Sequence, residues 1–133
     1  MSDLSFFVPG KAAPQGSKRH VGKGRLIESS EDLPAWRAAV TSAAKAAHTG
    51  NAPIDAPVSV ALIVYVQKPR TTRFRAYPAG PPDLDKYQRG VGDALEKAGV
   101  LTNDARIVHW DPWKLWATKD TPPGALITVE LVE

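Results

Sequence analysis

The 133-residue sequence predicts an α+β fold: a mixed β-sheet with two main helices packed on it, in a single domain over residues 1–133. Three observations predict it. Two stretches carry apolar residues at helical spacing. Four others are short and rich in β-branched or alternating apolar residues. They occur in the order β-α-β-α-β-β, which suits helices laid on a mixed sheet. The length suits one domain, and a hydrophobic content of 43% is enough for one packed core.

Leu4 to Val8 reads as a first strand, ended by Pro9-Gly10. A loop of roughly twenty residues follows, a length that usually signals function or disorder. It is rich in Gly, Lys and Arg, and the spacing allows a hairpin through Arg25-Leu26-Ile27. Ser29, Ser30 and Asp32 offer helix N-cap chemistry, and Pro34 suits a first turn. Trp36, Val40, Ala43, Ala44 and Ala47 then recur at helical spacing up to Gly50, which predicts a helix near 33–48.

After Pro57, the segment Val58 to Gln67 is apolar on both faces and reads as a central strand. Prolines and glycines keep Tyr77 to Pro82 extended up to Asp83. A second helix is expected from about Asp85 to Ala98, with Tyr87, Val91, Ala94, Leu95 and Ala98 as its apolar stripe and Gly99 as its stop. Gly90 and Gly92 lower its propensity by roughly 1 kcal/mol each, which invites a close approach by another backbone. Asn103-Asp104 makes a turn, and Arg106 to Trp110 a strand. Asp111-Pro112 is expected to bulge or bend that strand before Trp113 to Ala117 continue it. Pro122-Pro123-Gly124 turns the chain into a last strand, Ala125 to Val132.

The composition removes several function classes. Without cysteine there are no disulfides, Cys-ligated metals or thiol nucleophiles. No apolar run is long enough to span a bilayer. The start, Met1-Ser2-Asp3-Leu4, lacks a basic, apolar leader, so a cytoplasmic protein is expected. The net charge is only +3, but it is unevenly spread. Lys11, Lys18, Arg19, Lys23 and Arg25 form one acid-free run, and Lys68, Arg70, Arg73 and Arg75 another. The remaining eight cations face fourteen acids. Basic loops on an acidic body suit a polyanion, because each phosphate neutralised releases condensed counterions.

The chemistry-bearing segment is Pro82-Asp83-Leu84-Asp85, followed by Lys86, Arg89 and Asp93, with Asn103-Asp104 beyond the helix. In an extended backbone the Asp83 and Asp85 side chains point the same way. Asp85 also meets the favourable end of the helix dipole. Arg89 and Asp93 follow it at i+4 and i+8 on one helical face. Phosphodiester hydrolysis needs such groups, since the phosphate repels hydroxide and its transition state gathers more negative charge. Mg²⁺ takes oxygen ligands and can activate water. Taken singly, the same acids read as turn residues and caps. Spacing alone leaves open whether Asp104 returns to Asp83 and Asp85.

The ordered set Asp83-Leu84-Asp85, Arg89, Asp93-Ala94-Leu95-Glu96-Lys97-Ala98-Gly99 and Asn103-Asp104-Ala105 resembles the RusA family of Holliday-junction resolvases, common in phages and prophages. The resemblance is dense from Pro82 to Lys114. It implies a homodimeric, Mg²⁺-dependent endodeoxyribonuclease that resolves branched DNA in a bacterial host cell, with Mn²⁺ as a substitute ion. Asp83, Asp85 and Asp104 would hold the metal. Arg89 stands where the family often has a lysine, keeping charge but losing a general acid. Lys86 replaces a common asparagine. The two basic runs, Lys86 and Lys114 would contact DNA. A two-fold dimer also suits paired, symmetric cuts.

Two further residue types, histidine and tryptophan, lie outside the motif. His20, His48 and His109 are too dispersed for a zinc site: capping suits His48, a packing or surface role suits His109, and His20 in the basic loop suits phosphate contact if it has a role. Trp110, Trp113 and Trp116 could stack on unpaired bases, but strand aromatics more often fill a core or a dimer interface. Two other readings compete with the nuclease: a DNA-binding protein of the same fold without cleavage, and an interaction domain using the Trp-rich strand.

Overall fold

A computed structural model describes residues 4–16 and 31–132 in full, and the backbone of residues 18–20 and 26–28. Strand β1 (Leu4–Pro9) is followed by β2 (Lys18–His20) and β3 (Leu26–Glu28), which pair antiparallel as a hairpin within the long basic loop. Then come α1 (Leu33–Ala47), β4 (Val58–Val66), α2 (Leu84–Lys97), β5 (Ile107–Trp116) and β6 (Gly124–Leu131). The main sheet has the order β1-β6-β4-β5. β4 and β5 are parallel, and the other neighbours are antiparallel. The mixed α+β sheet expected from the element order is therefore present. Parallel strands need a long crossover, and α2 supplies it between β4 and β5.

β4 is central, as its apolar faces required. Val58, Val60, Leu62 and Val64 are buried on the face beneath the helices, together with Ala125, Ile127 and Val129 of β6. Above them sit Leu33, Trp36, Val40 and Ala44 of α1 and Tyr87, Val91, Ala94 and Leu95 of α2. Burying a leucine such as Leu62 or Leu95 contributes about 1.5–3 kcal/mol. No polar side chain among the described residues is buried in this core. No helix among them is long and apolar enough to cross a membrane.

Three expectations change. β5 runs unbroken through Asp111-Pro112, opposite Ala61 and Leu62 of β4. It is an edge strand, where a proline can turn its missing N–H away from the ladder. The register shift falls instead between Val58 and Ser59, which pair with Ile107 and His109 and leave Val108 as the extra residue. Asp32 occupies the N-cap of α1 but makes no capping bond; its carboxylate pairs with Lys11 at 3.0 Å. Ser29 and Ser30 lie outside the described residues. Finally, among the described residues the nearest atoms facing Gly90 and Gly92 belong to side chains, not backbone. A Cβ at Gly90 would meet the Gln15 side chain at 3.7 Å, and one at Gly92 would meet Trp110 at 3.6 Å, both ordinary contacts.

The sheet face opposite the helices is uncovered by any described element. Strand register carries Phe7, Leu126, Ile63 and Trp113 across all four strands in one row. The next row holds Tyr65 and Leu115. Phe7 and Tyr65 pack ring to ring at 6.5 Å, and Trp113 is 52% exposed.

Candidate active site

Helix α2 begins at Leu84, one residue earlier than the sequence indicates. Asp83 is its N-cap, with extended dihedrals, while Asp85 lies in the first helical turn. The change of backbone between them breaks the strand-like alternation on which a shared direction depended. Asp85 lines a cavity of about 390 Å³ with Gln88, Arg89, Gly92 and Asp93 of α2. Asp83 is exposed and is not among the lining residues.

The opposite wall comes from the turn into β5. Asp104 opens a 3₁₀ turn, Asp104–Arg106, and lines the cavity with Ile107 and Trp110. Asn103 caps this turn, its side-chain oxygen accepting from the Ala105 N–H at 2.7 Å. The Asp104 N–H donates to Glu96 at 2.8 Å, tying the turn to the last turn of α2. Asp55 braces it from outside by accepting from Thr102 and from Arg106, each at 2.8 Å. These bonds hold the exposed Asp55 carboxyl below its ordinary value, with the Arg106 hydrogen bond the largest cause. So Asp85 and Asp104, 19 positions apart in sequence, share one cavity.

Asp93 and Gln15 complete it. Asp93 is readable in the sequence as the i+8 partner of Asp85, but no role attached to it. Gln15 carried no sequence signal beyond its place in the long loop. Its N–H donates to the Lys86 carbonyl at 3.0 Å, and its amide donates to the Asp93 carboxylate. The Asp104 carboxyl is pushed up by partial desolvation, then by the charges of Glu96 and Asp93, and by a hydrogen bond with Asp93. Negative charge is thus crowded on this side of the cavity. Even so, no three His, Asp or Glu side chains among the described residues are gathered closely enough to form a ready metal cage.

Most of the described cations contact the chain itself. Arg89 lines the cavity, and its guanidinium lies against Gly16, where φ is +98° and any Cβ would collide with it. Lys86 donates to the Gly16 carbonyl at 3.4 Å. Lys114 donates to the carbonyls of Gly80 and Pro82 at 2.9 Å each, fixing the chain that leads into Asp83. Lys68 donates to the Arg75 carbonyl at 2.6 Å, and Arg75 reaches the Arg70 carbonyl at 3.4 Å. Arg73 stacks on Phe74 at 4.6 Å. Arg70, Arg73 and Arg75 are exposed. The side chains of Lys18, Arg19, Lys23 and Arg25, and His20 with them, lie outside the described residues.

His109 faces away from the cavity, bonded to Ser59 at 2.8 Å; His48 is the C-cap of α1 through its backbone N–H, and its ring bonds the Ala52 carbonyl in the following loop at 2.8 Å. Trp110 lines the cavity, Trp116 donates to the Phe74 carbonyl at 2.9 Å, and Trp113 is on the open sheet face.

A cavity lined by carboxylates and by Arg89, on a small α+β scaffold, fits an enzyme that handles an anionic polymer. Residues 9–130 match the family model described as endodeoxyribonuclease RusA. The chain belongs to that family of endodeoxyribonucleases. Comparison with curated protein sequences gives no match.

Proposed function

We propose that the protein is a structure-selective endodeoxyribonuclease that cuts Holliday junctions and other branched DNA as a homodimer, with Mg²⁺ as cofactor. The observation that carries this reading is the convergence of Asp85, Asp93, Asp104 and Arg89 on one cavity in a chain of this family. The donors fit a hard divalent ion. They are all carboxylate oxygens, and the Asp104 carboxyl is raised by desolvation first and then by the neighbouring Glu96 and Asp93 charges, which a bound cation would offset. Mg²⁺ keeps several waters and is usually bound through one or two carboxylates, so a closed protein cage is not required. Asp85, Asp93 and Asp104 would hold it; Asp83 enters this reading on the family motif alone. A bound ion would supply water activation and offset charge on the phosphate.

The chain's own groups supply the rest. Arg89 is placed to grip the scissile phosphate through a charge-assisted fork. The same cation offsets the charge that develops as the leaving oxygen departs. Arg70, Arg73 and Arg75 offer backbone-positioning contacts, which fix the DNA without reading its sequence. The homodimer draws support from the open sheet face, since an apolar patch of this kind usually marks an interaction site.

The deciding experiment is cleavage of a synthetic four-way junction. The wild-type protein should nick it with Mg²⁺ and fail with chelator. Asp85→Asn should still bind the junction. Its cleavage should fall by more than the 10–100-fold typical of losing a supporting contact around a metal. No cleavage of any branched DNA at any Mg²⁺ concentration would leave a DNA-binding protein without catalysis. Undiminished cleavage by Asp85→Asn would remove the cavity from the mechanism.

A further inference from the structure

Gln15 makes three directional contacts. Its backbone N–H donates to the Lys86 carbonyl, its side-chain amide donates to the Asp93 carboxylate, and its side-chain oxygen accepts from Arg37 at 2.7 Å. Its Cβ also lies over Gly90, within 3.7 Å of where a side chain would begin. Lys86, Gly90 and Asp93 are spaced i, i+4 and i+7, so the Gln15 segment lies along one stripe of α2. Any side chain at position 90 larger than alanine would compete for that space.

Arg37 comes from a different element. It is half-buried on α1, and one of its nitrogens, Nε, is buried without a hydrogen-bond partner. An unpaired buried donor on a charged group is costly. The Arg37 Nη2 donates to the Gln15 side-chain oxygen. This polarises the amide, leaving its N–H₂ a better donor to Asp93. The link also fixes which way the amide is turned: an oxygen facing Arg37 leaves only nitrogen to face Asp93.

We infer that Arg37 and Gln15 form a relay that positions Asp93 in the carboxylate cavity, so that the helix layer orients a metal-binding oxygen through the loop after β1. This rests on the proposed reading of the cavity as a divalent-ion site. Gln15 and Arg37 are positioning residues in this scheme. Neither is required to touch the ion or the phosphate. Asp93 stands against Asp104, and a carboxylate free to rotate there would turn its oxygens away from the neighbouring negative charge. Holding it by a neutral donor keeps it aimed. Supporting hydrogen bonds to metal ligands are worth about 10–100-fold in metal affinity.

The test is Mn²⁺ binding to the full chain, measured by calorimetry without DNA, with thermal melting to confirm folding. Gln15→Ala should weaken Mn²⁺ binding by about 10–100-fold. Gln15→Met, which keeps the side chain's length and packing, should do the same. Arg37→Ala should weaken it less, and Arg37→Lys, which keeps a charged donor, should recover part of that loss. Because the two act in series, the double variant Gln15→Ala/Arg37→Ala should bind as Gln15→Ala does. Folded Gln15 variants with wild-type affinity would overturn the relay. So would losses that simply add in the double variant. If the wild-type chain itself binds no Mn²⁺, the ion-site reading falls, and the relay with it.

Discussion

Desolvation and the charges of Glu96 and Asp93 raise the Asp104 carboxyl above its ordinary value. Its ionisation therefore costs stability. The favourable contribution is fully present below the ordinary aspartate pKa and is lost as pH rises through the raised value. Metal-free protein should lose thermal stability across that window, and Asp104→Asn should abolish the step. Asp104 is exposed, so screening keeps the gain small: at neutral pH the variant should melt higher by no more than about 1 kcal/mol. Differential scanning calorimetry with chelator reads this, and the same variant should be inactive on junctions. A melting point lowered by the substitution would mean that the carboxylate serves the fold. The residue scale is also where the sequence was least legible. Asp85 and Arg89 stood out by motif and spacing, but Gln15 sits in a loop without periodicity, and only tertiary contact gives it a role. Asp83 was readable as an acid but not as an N-cap, because a one-residue shift of the helix start changes where a side chain points.

Among the elements, α2 and β4 were legible for opposite reasons. α2 shows one apolar stripe, Tyr87, Val91, Ala94, Leu95 and Ala98, all buried. β4 shows apolar residues on both faces, as a central strand must. In β5 the sequence points to a bulge or bend at Asp111-Pro112, because proline removes a ladder donor, and the strand's edge position makes that loss harmless. The two glycines of α2 suggest close backbone approach, but side chains are the nearest described neighbours at both positions. Gly92→Ala should therefore stabilise the protein by about 0.5–1 kcal/mol through helix propensity, since the new methyl meets its neighbours at ordinary distance. Urea unfolding would show this as a higher midpoint with unchanged slope. A destabilised variant would mean that Trp110 and Ile107 cannot accept the methyl.

At the scale of the whole molecule, charge and apolar surface are separated. Arg70 and Arg73 are exposed, whereas Lys68 is bonded to the chain itself. Replacing both arginines with glutamine should lower the slope of log affinity against log salt by about 2, whereas Lys68→Gln should change it less. Filter binding over a salt series measures both. The exposed Trp113 has the opposite character. In the proposed homodimer joined through this face, Trp113→Lys should shift sedimentation toward monomer while leaving the fold intact. Unchanged sedimentation would place the self-association surface elsewhere.

The bare side of the sheet has a geometric consequence. Joined through it, two copies would stack sheet on sheet, about 10 Å apart, and turn both helix layers outward. The cavities lie on the helix side, so they would look away from each other on opposite flanks of the particle. A straight duplex could then engage only one of them at a time. Simultaneous occupancy would require DNA whose arms diverge and pass around the body, so selectivity for a branch would come from the shape of the pair rather than from any base.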